Sequence, residues 1–216
     1  MVELNTLLNY KKITELKYYT EVTEVPMSNL VDFDYKDILP PPPENNSKLV
    51  QKELSIISEA TKKRTKQDIE FVHKMDQDID SFYIELLNKN KKIYPQRYIN
   101  LFYEIVEPIL MNTKNYWNRP RPNQLCKFYN IDINMIITDT IHTASYPSGH
   151  TVYSKLVGNI LTDMYPELSS QILSIAERTG KARVQQGVHY PSDNGASFVF
   201  SNYVYDKLKN RLKQYS

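Results

Sequence analysis

The 216-residue chain contains a single cysteine, Cys126. No intrachain disulfide can form and a cysteine-built metal site is not expected. A lone cysteine of this kind is expected as a small buried hydrophobe. Long hydrophobic runs are also missing. The apolar pair Leu7-Leu8 stops at Asn9, and no window of about 18 residues is apolar and charge-free enough to cross a bilayer. The opening stretch MVELNTLLNYKKITELKYY lacks the basic-then-apolar profile of a secretory leader. These absences predict a soluble, intracellular chain without integral membrane association. A dominant charge sign is lacking too: 27 Lys and Arg against 25 Asp and Glu leave +2, too little for a nucleic-acid footprint. Strand signals are nearly absent, and no segment repeats.

What is present reads as helix. Hydrophobic residues at 41% and charged residues at 24% are ordinary for a globular domain with a sizeable core. Residues 1–47 read as an irregular extension containing Pro40-Pro41-Pro42-Pro43, which forces a polyproline II path, either as a stiff linker or packed on the domain. Residues 48–216 read as one helical domain. Ser47 is placed to cap a first helix with Val50, Leu54, Ile57 and Thr61 on one face. A second runs from near Thr65 or Asp68 through Ile69, Val72, Ile79, Phe82 and Leu86. A third carries Ile99, Phe102, Ile105, Val106, Ile109 and Leu110, with a kink expected at Pro108. Pro120 and Pro122 exclude a regular helix there, so Arg119 and Arg121 sit on an extended or turning segment. Residues 131–137 fit a short strand or a loop. Three apolar stripes follow: Val152 to Met164, Leu168 to Thr179, and Ala196 to Leu208, the last capped by Asp193 or Asn194. The expected fold class is all-α.

Three polar motifs stand out between Lys114 and Asp193. Lys114 and Arg121-Pro122 are spaced K-x6-R-P; Pro147-Ser148-Gly149-His150 precedes a helix; Arg183, His189 and Asp193 are spaced R-x5-H-x3-D. A helix start leaves N–H groups unpaired and carries partial positive charge, so Ser148 and Gly149 are placed to receive an oxyanion, with His150 beside it. A carboxylate that accepts from one ring nitrogen of His189 fixes its tautomer and leaves the other as nucleophile or base. Each motif alone also fits a plainer role: a serine cap, an aspartate cap beside a surface histidine, solvated cations. Their joint occurrence, in this order, supplies cations to hold a phosphate, a group to attack it, and a group to protonate what leaves.

The combination resembles the phosphatidic acid phosphatase type 2 superfamily, whose signature is K-x6-R-P, P-S-G-H and S-R-x5-H-x3-D. Within it, the stretches Leu39-Pro40-Pro41-Pro42-Pro43, Ser145 to Thr151 and Gly187 to Asp193 are most similar to the soluble bacterial class A acid phosphatases. The resemblance runs from about Leu39 to Leu208. It implies a helical bundle of the acid phosphatase and vanadium-dependent haloperoxidase type, and a metal-independent acid phosphatase with no cofactor, acting on small-molecule phosphate monoesters. His189 would form a phosphohistidine and Asp193 would orient it. His150 would serve as general acid, then as base. Lys114, Arg121, Ser148, Gly149 and Arg183 would bind phosphate. A homo-oligomer is compatible with all of this.

Two positions depart from the family pattern. Ala182 stands where the pattern has Ser, which would remove a hydrogen bond worth about 0.5–1.5 kcal/mol and weaken activity. Ala144 stands where class A has Gly, with an effect expected only on the loop before Ser145. The same anion pocket would suit a vanadate-dependent haloperoxidase, and a chain that kept the fold alone would be an anion-binding relative. A lipid phosphatase docking on membranes lacks a basic amphipathic helix to support it. Tyr116, Trp117, Phe128 and Tyr146 are expected in the core or stacked on a substrate base.

Overall fold

In the computed structural model, which describes residues 11–21, 24 and 34–212, Ser47 starts the first long helix. Its side chain accepts from the Val50 amide at 3.2 Å, and α1 runs Lys48–Lys63 with Val50, Leu54, Ile57 and Thr61 buried along one face. Upstream, residues 11–15 form a helical turn, and Ile38 and Leu39 enter the main core. The proline run therefore packs on the domain: the Tyr146 hydroxyl donates to the Pro40 carbonyl at 2.9 Å. Within the expected 1–47 extension, residues 1–10, 22–23 and 25–33 lie outside the described residues.

The expected second helix is two. α2 (Lys66–Gln77) begins with a reciprocal cap between Thr65 and Asp68, and α3 (Asp80–Lys89) starts after a break at Asp78, whose backbone is extended. Asp78 Oδ1 accepts from the Ser81 amide at 3.1 Å and the Ser81 hydroxyl donates back to the Asp78 carbonyl, so a local cap competes with helix continuation. α4 (Gln96–Trp117) runs through Pro108 and ends at Asn118 in the left-handed conformation. Pro122 does not exclude helix as expected. It occupies the first position of a single turn, α5 (Pro122–Leu125), where its missing N–H would have been unpaired anyway. Residues 118–121 before it form no regular helix, and Arg121 is extended.

The chain from 130 to 148 has no regular structure, so residues 131–137 form a loop; no β-strand occurs among the described residues. α1 and the next long helices hold that loop: the Ser58 hydroxyl donates to Asp132 O, and the Gln186 side chain donates to Ile136 O. Then come α6 (Gly149–Met164), α7 (Ser169–Gln186) and α8 (Pro191–Leu212). α8 starts earlier than expected, because Pro191 opens it and Asp193 falls inside its first turn. α6 packs on both α7 and α8, while α1 and α2 pack on α7. The main core joins Phe102, Ile105, Val106 and Ile109 of α4 to Val152, Leu156 and Ile160 of α6 and Phe200, Val204 and Leu208 of α8. Each such side chain contributes about 1.5–3 kcal/mol on burial. The all-α expectation holds, and the three polar motifs fall at the ends of α4, α6, α7 and α8. Among the described residues, no helix is long and apolar enough to cross a membrane.

Candidate active site

Lys114, in the last turn of α4, is buried rather than solvent-facing, and its ammonium donates to the Ala144 carbonyl at 2.5 Å. Ala144 therefore matters through its backbone. Burial, and then the neighbouring Arg121, hold Lys114 well below the usual ammonium range. Arg121 precedes α5 and is also buried. Its Nε donates to Thr143 O at 2.8 Å, and its Nη1 to Val188 O at 3.0 Å and to His189 Nε2 at 3.2 Å.

Ser148 precedes α6, and its hydroxyl does not bond a helix amide as a cap would. It accepts instead from Thr151 Oγ1 at 2.9 Å, while its own amide donates to Ser197 Oγ at 2.9 Å. Gly149 lies over Lys114: a Cβ there would stand 3.8 Å from Lys114 Cε and from Leu110 Cδ2. His150, the second residue of α6, places Nε2 3.5 Å from Asp76 Oδ1. Burial and Arg183 push its pKa well below the usual imidazole value, against the opposing pull of Asp76.

Arg183 is fully buried near the end of α7 and donates from Nη1 to Asp76 Oδ1 at 3.0 Å. Its Nε and Nη2 have no partner within the described residues. Burial and Arg121 bring it down to about 10. α7 ends at Gly187, which adopts φ 88°; a Cβ there would lie 2.8 Å from Ile133 Cγ2. That left-handed turn delivers Val188 and His189 into the space beside Arg121.

His189 donates from Nδ1 to Asp193 Oδ2 at 3.1 Å. Its two neighbours agree on the tautomer. A carboxylate can only accept, so Nδ1 carries the proton; a guanidinium can only donate, so Nε2 carries a lone pair. Burial, then Arg121, depress the His189 pKa well below its ordinary value. Asp193 is filled on both oxygens: Oδ1 accepts from Arg119 at 2.5 Å, and Oδ2 from Ser145 Oγ at 2.6 Å and from the Tyr190 amide at 2.9 Å. Burial raises its pKa, but Arg119 and the His189 hydrogen bond outweigh that and hold it at about 2.

Six of the eight residues singled out in the sequence, Lys114, Arg121, His150, Arg183, His189 and Asp193, are thus linked at neighbouring helix ends by hydrogen bonds or charge, while Gly149 lies over Lys114 and Ser148 reaches the Asp193 backbone through Ser197. Three further residues were not singled out. Asp76 joins His150 to Arg183 and also accepts from Thr138 and Thr140. Arg119 and Glu53 form a buried ion pair behind Asp193. Glu53 left a sequence signal: a carboxylate inside the Val50, Leu54, Ile57 stripe. Ala182 is fully buried against Val72 and Met75 of α2, in an apolar cluster. Cys126 is only half-buried, at the edge of the Val50–Leu54 cluster. Tyr146 is buried, Tyr116 is half-exposed, and Trp117 and Phe128 lie partly buried against the core.

A helical bundle that collects cations and a carboxylate-oriented histidine at its helix ends is an anion-handling architecture. Residues 98–205 match the PAP2 superfamily, and the chain belongs to it. It is 33% identical over 94 residues to an acid phosphatase of Zymomonas mobilis, covering 41% of this chain and 33% of that protein. It is 34% identical over 85 residues to a non-specific acid phosphatase of Salmonella typhi, covering 38% of this chain and 32% of that one. These matches span about a third of each relative's length. The fold is similar to a transmembrane PAP2-type phosphatidylglycerolphosphate phosphatase from Bacillus subtilis, with TM-score 0.54 and 19% identity over 79% of this chain and 90% of that one.

Proposed function

We propose that the chain is an acid phosphatase that hydrolyses phosphate monoesters without a metal ion, through a phosphohistidine at His189. The observation that carries this is a charge imbalance around His189 Nε2. Arg119 is paired with Glu53 and Asp193, and Arg183 with Asp76. Lys114 and Arg121 have no carboxylate within ion-pair distance among the described residues, although both are buried. Leaving a charge buried and unpaired costs several kcal/mol, so two such cations favour a dianion, the form a phosphate monoester takes above a pKa of about 6.

In the proposed reaction, Lys114, Arg121 and Arg183 take the non-bridging oxygens, with Ser148 and the Gly149 amide beside them. The His189 Nε2 lone pair forms the N–P bond as the ester P–O bond breaks, and His150 gives its proton to the departing oxygen. His150 then takes a proton from water, whose oxygen attacks phosphorus and frees His189. Protonated His150 is needed for the first step and its pKa is depressed, so the rate should favour acid pH.

Rapid acid quench of the protein with an aryl phosphate should trap one phosphoryl group on His189, and EDTA should leave the rate unchanged. Loss of hydrolysis in EDTA, or a full rate in His189→Ala, would refute the mechanism.

A further inference from the structure

Arg119 occupies an unspecified position within K-x6-R-P, while Glu53 lies outside the three motifs and outside the matched residues 98–205 altogether. Both are buried, and their side-chain hydrogen bonds end on Ser192, Asp193 and each other. Together they grip the first turn of α8. Glu53 accepts from the Ser192 amide at 2.6 Å and from its hydroxyl at 2.9 Å. Arg119 donates from Nη1 to Ser192 Oγ at 2.8 Å and to Asp193 Oδ1, and from Nη2 to Glu53 at 3.3 Å. Its guanidinium stacks 3.8 Å from the Tyr190 ring centroid. Tyr190, Ser192 and Asp193, three of the four residues that follow His189, are thus held by one planar cation.

The consequence is directional. With Oδ1 committed to Arg119, the carboxylate can present only Oδ2 to His189 Nδ1. With the cation this close, Asp193 stays ionised and does not compete for the ring proton. We propose that Arg119 and Glu53 are positioning residues for His189, acting through Asp193 to hold the ring proton on Nδ1 and the Nε2 lone pair toward the pocket. This rests on the role given to His189 above. A purely structural ion pair could be exchanged for apolar residues without changing how His189 titrates.

The groups facing His189 are Asp193 from α8, Arg121 from the segment before α5, Arg183 from α7 and His150 from α6, with Lys114 of α4 beside Arg121. Removing Arg119 leaves Asp193 less neutralised, so Asp193 attracts a proton onto the imidazole more strongly and the His189 midpoint rises. Nucleophilic His189 is then lost at higher pH.

The test compares Arg119→Met, the double variant Glu53→Gln/Arg119→Met, which removes one charge of each sign, and Arg119→Lys. Nitrogen-15 NMR reads the His189 tautomer and titration midpoint, and steady-state kinetics with an aryl phosphate reads kcat and KM against pH. Both Met variants should raise the midpoint by about one unit, equivalent to about a tenfold change in the neutral fraction on the acid side. The acid limb of kcat/KM should move up with it, while KM stays close to that of the unsubstituted protein because the phosphate clamp is untouched. Arg119→Lys keeps the charge and loses the fork, so it should give an intermediate shift, and it carries the test if the Met variants do not fold. An unchanged midpoint and tautomer in folded variants, with activity lost equally at all pH values, would overturn the assignment. The NMR readout needs no turnover, so an inactive parent protein would refute the phosphatase proposal and leave this one decidable.

Discussion

His150 and His189 are both buried imidazoles, yet the proposed chemistry asks opposite things of them. His189 must be neutral to attack, and burial with Arg121 beside it favours that state. His150 must be protonated, and burial with Arg183 beside it opposes that, with Asp76 the local counterweight. A bound phosphate dianion adds negative charge next to His150 and must raise its pKa. The alkaline limb of kcat should therefore lie at higher pH than that of kcat/KM, because the first reports the complex and the second the free protein. Coincident limbs in stopped-assay pH profiles would remove His150 from the acid role. Ala182 sits on the same helix as Arg183 but faces Val72 and Met75. A hydroxyl there meets apolar atoms, so Ala182→Ser should cost about 0.5–1.5 kcal/mol in urea unfolding and change kcat/KM by less than about twofold. A large activation would show that the missing serine is a site defect after all. At this scale the spaced motifs made eight residues legible from sequence. Arg119, Glu53 and Asp76 were harder to find: Arg119 occupies an unspecified position of K-x6-R-P, Glu53 shows only as a carboxylate within an apolar stripe, and Asp76 acts across the fold with no local spacing to the eight.

Among the elements, the turn between α7 and α8 does the most to place the site. Gly187 has a backbone conformation that L residues rarely adopt, and a Cβ there would press on Ile133 of the 130–148 loop. Gly187→Ala should destabilise the protein by at least about 1–2 kcal/mol. It should also lower kcat, since Val188 and His189 follow directly. Measuring urea unfolding and aryl phosphate turnover together checks both, and near-normal values in the two would show that the turn tolerates a side chain. Apolar periodicity located the long helices because each buries one stripe. It merged α2 with α3, because the Asp78 and Ser81 cap breaks the helix without breaking the apolar pattern. Proline breaks a helix interior, but Pro122 occupies the first position of a helix, where its fixed backbone angle and missing N–H are suited.

Across the whole molecule, the site is a burial of charge that the fold alone does not balance. The imidazoles of His150 and His189 have depressed pKa values, so their contribution to stability is fully present above the unfolded value of about 6.5 and is lost as pH falls below it. Asp193, held at about 2, adds a contribution present above about 3.9 and lost as pH falls toward 2. Acid should therefore lower Tm in phosphate-free buffer, over the same range in which the proposed reaction speeds up. Inorganic phosphate should reverse much of this by neutralising Lys114 and Arg121. At about 100 times its Kd a ligand stabilises by about 2.7 kcal/mol, or about 5–10 °C in Tm for a chain of this size. Lys114→Met separates the two effects, because it removes an unpaired buried cation and also a phosphate contact. Thermal unfolding should show its Tm above that of the unsubstituted protein without phosphate, and most of the phosphate-induced rise gone. A lower Tm without phosphate, or an undiminished rise with it, would mean that Lys114 is neither destabilising in the empty site nor part of the anion clamp.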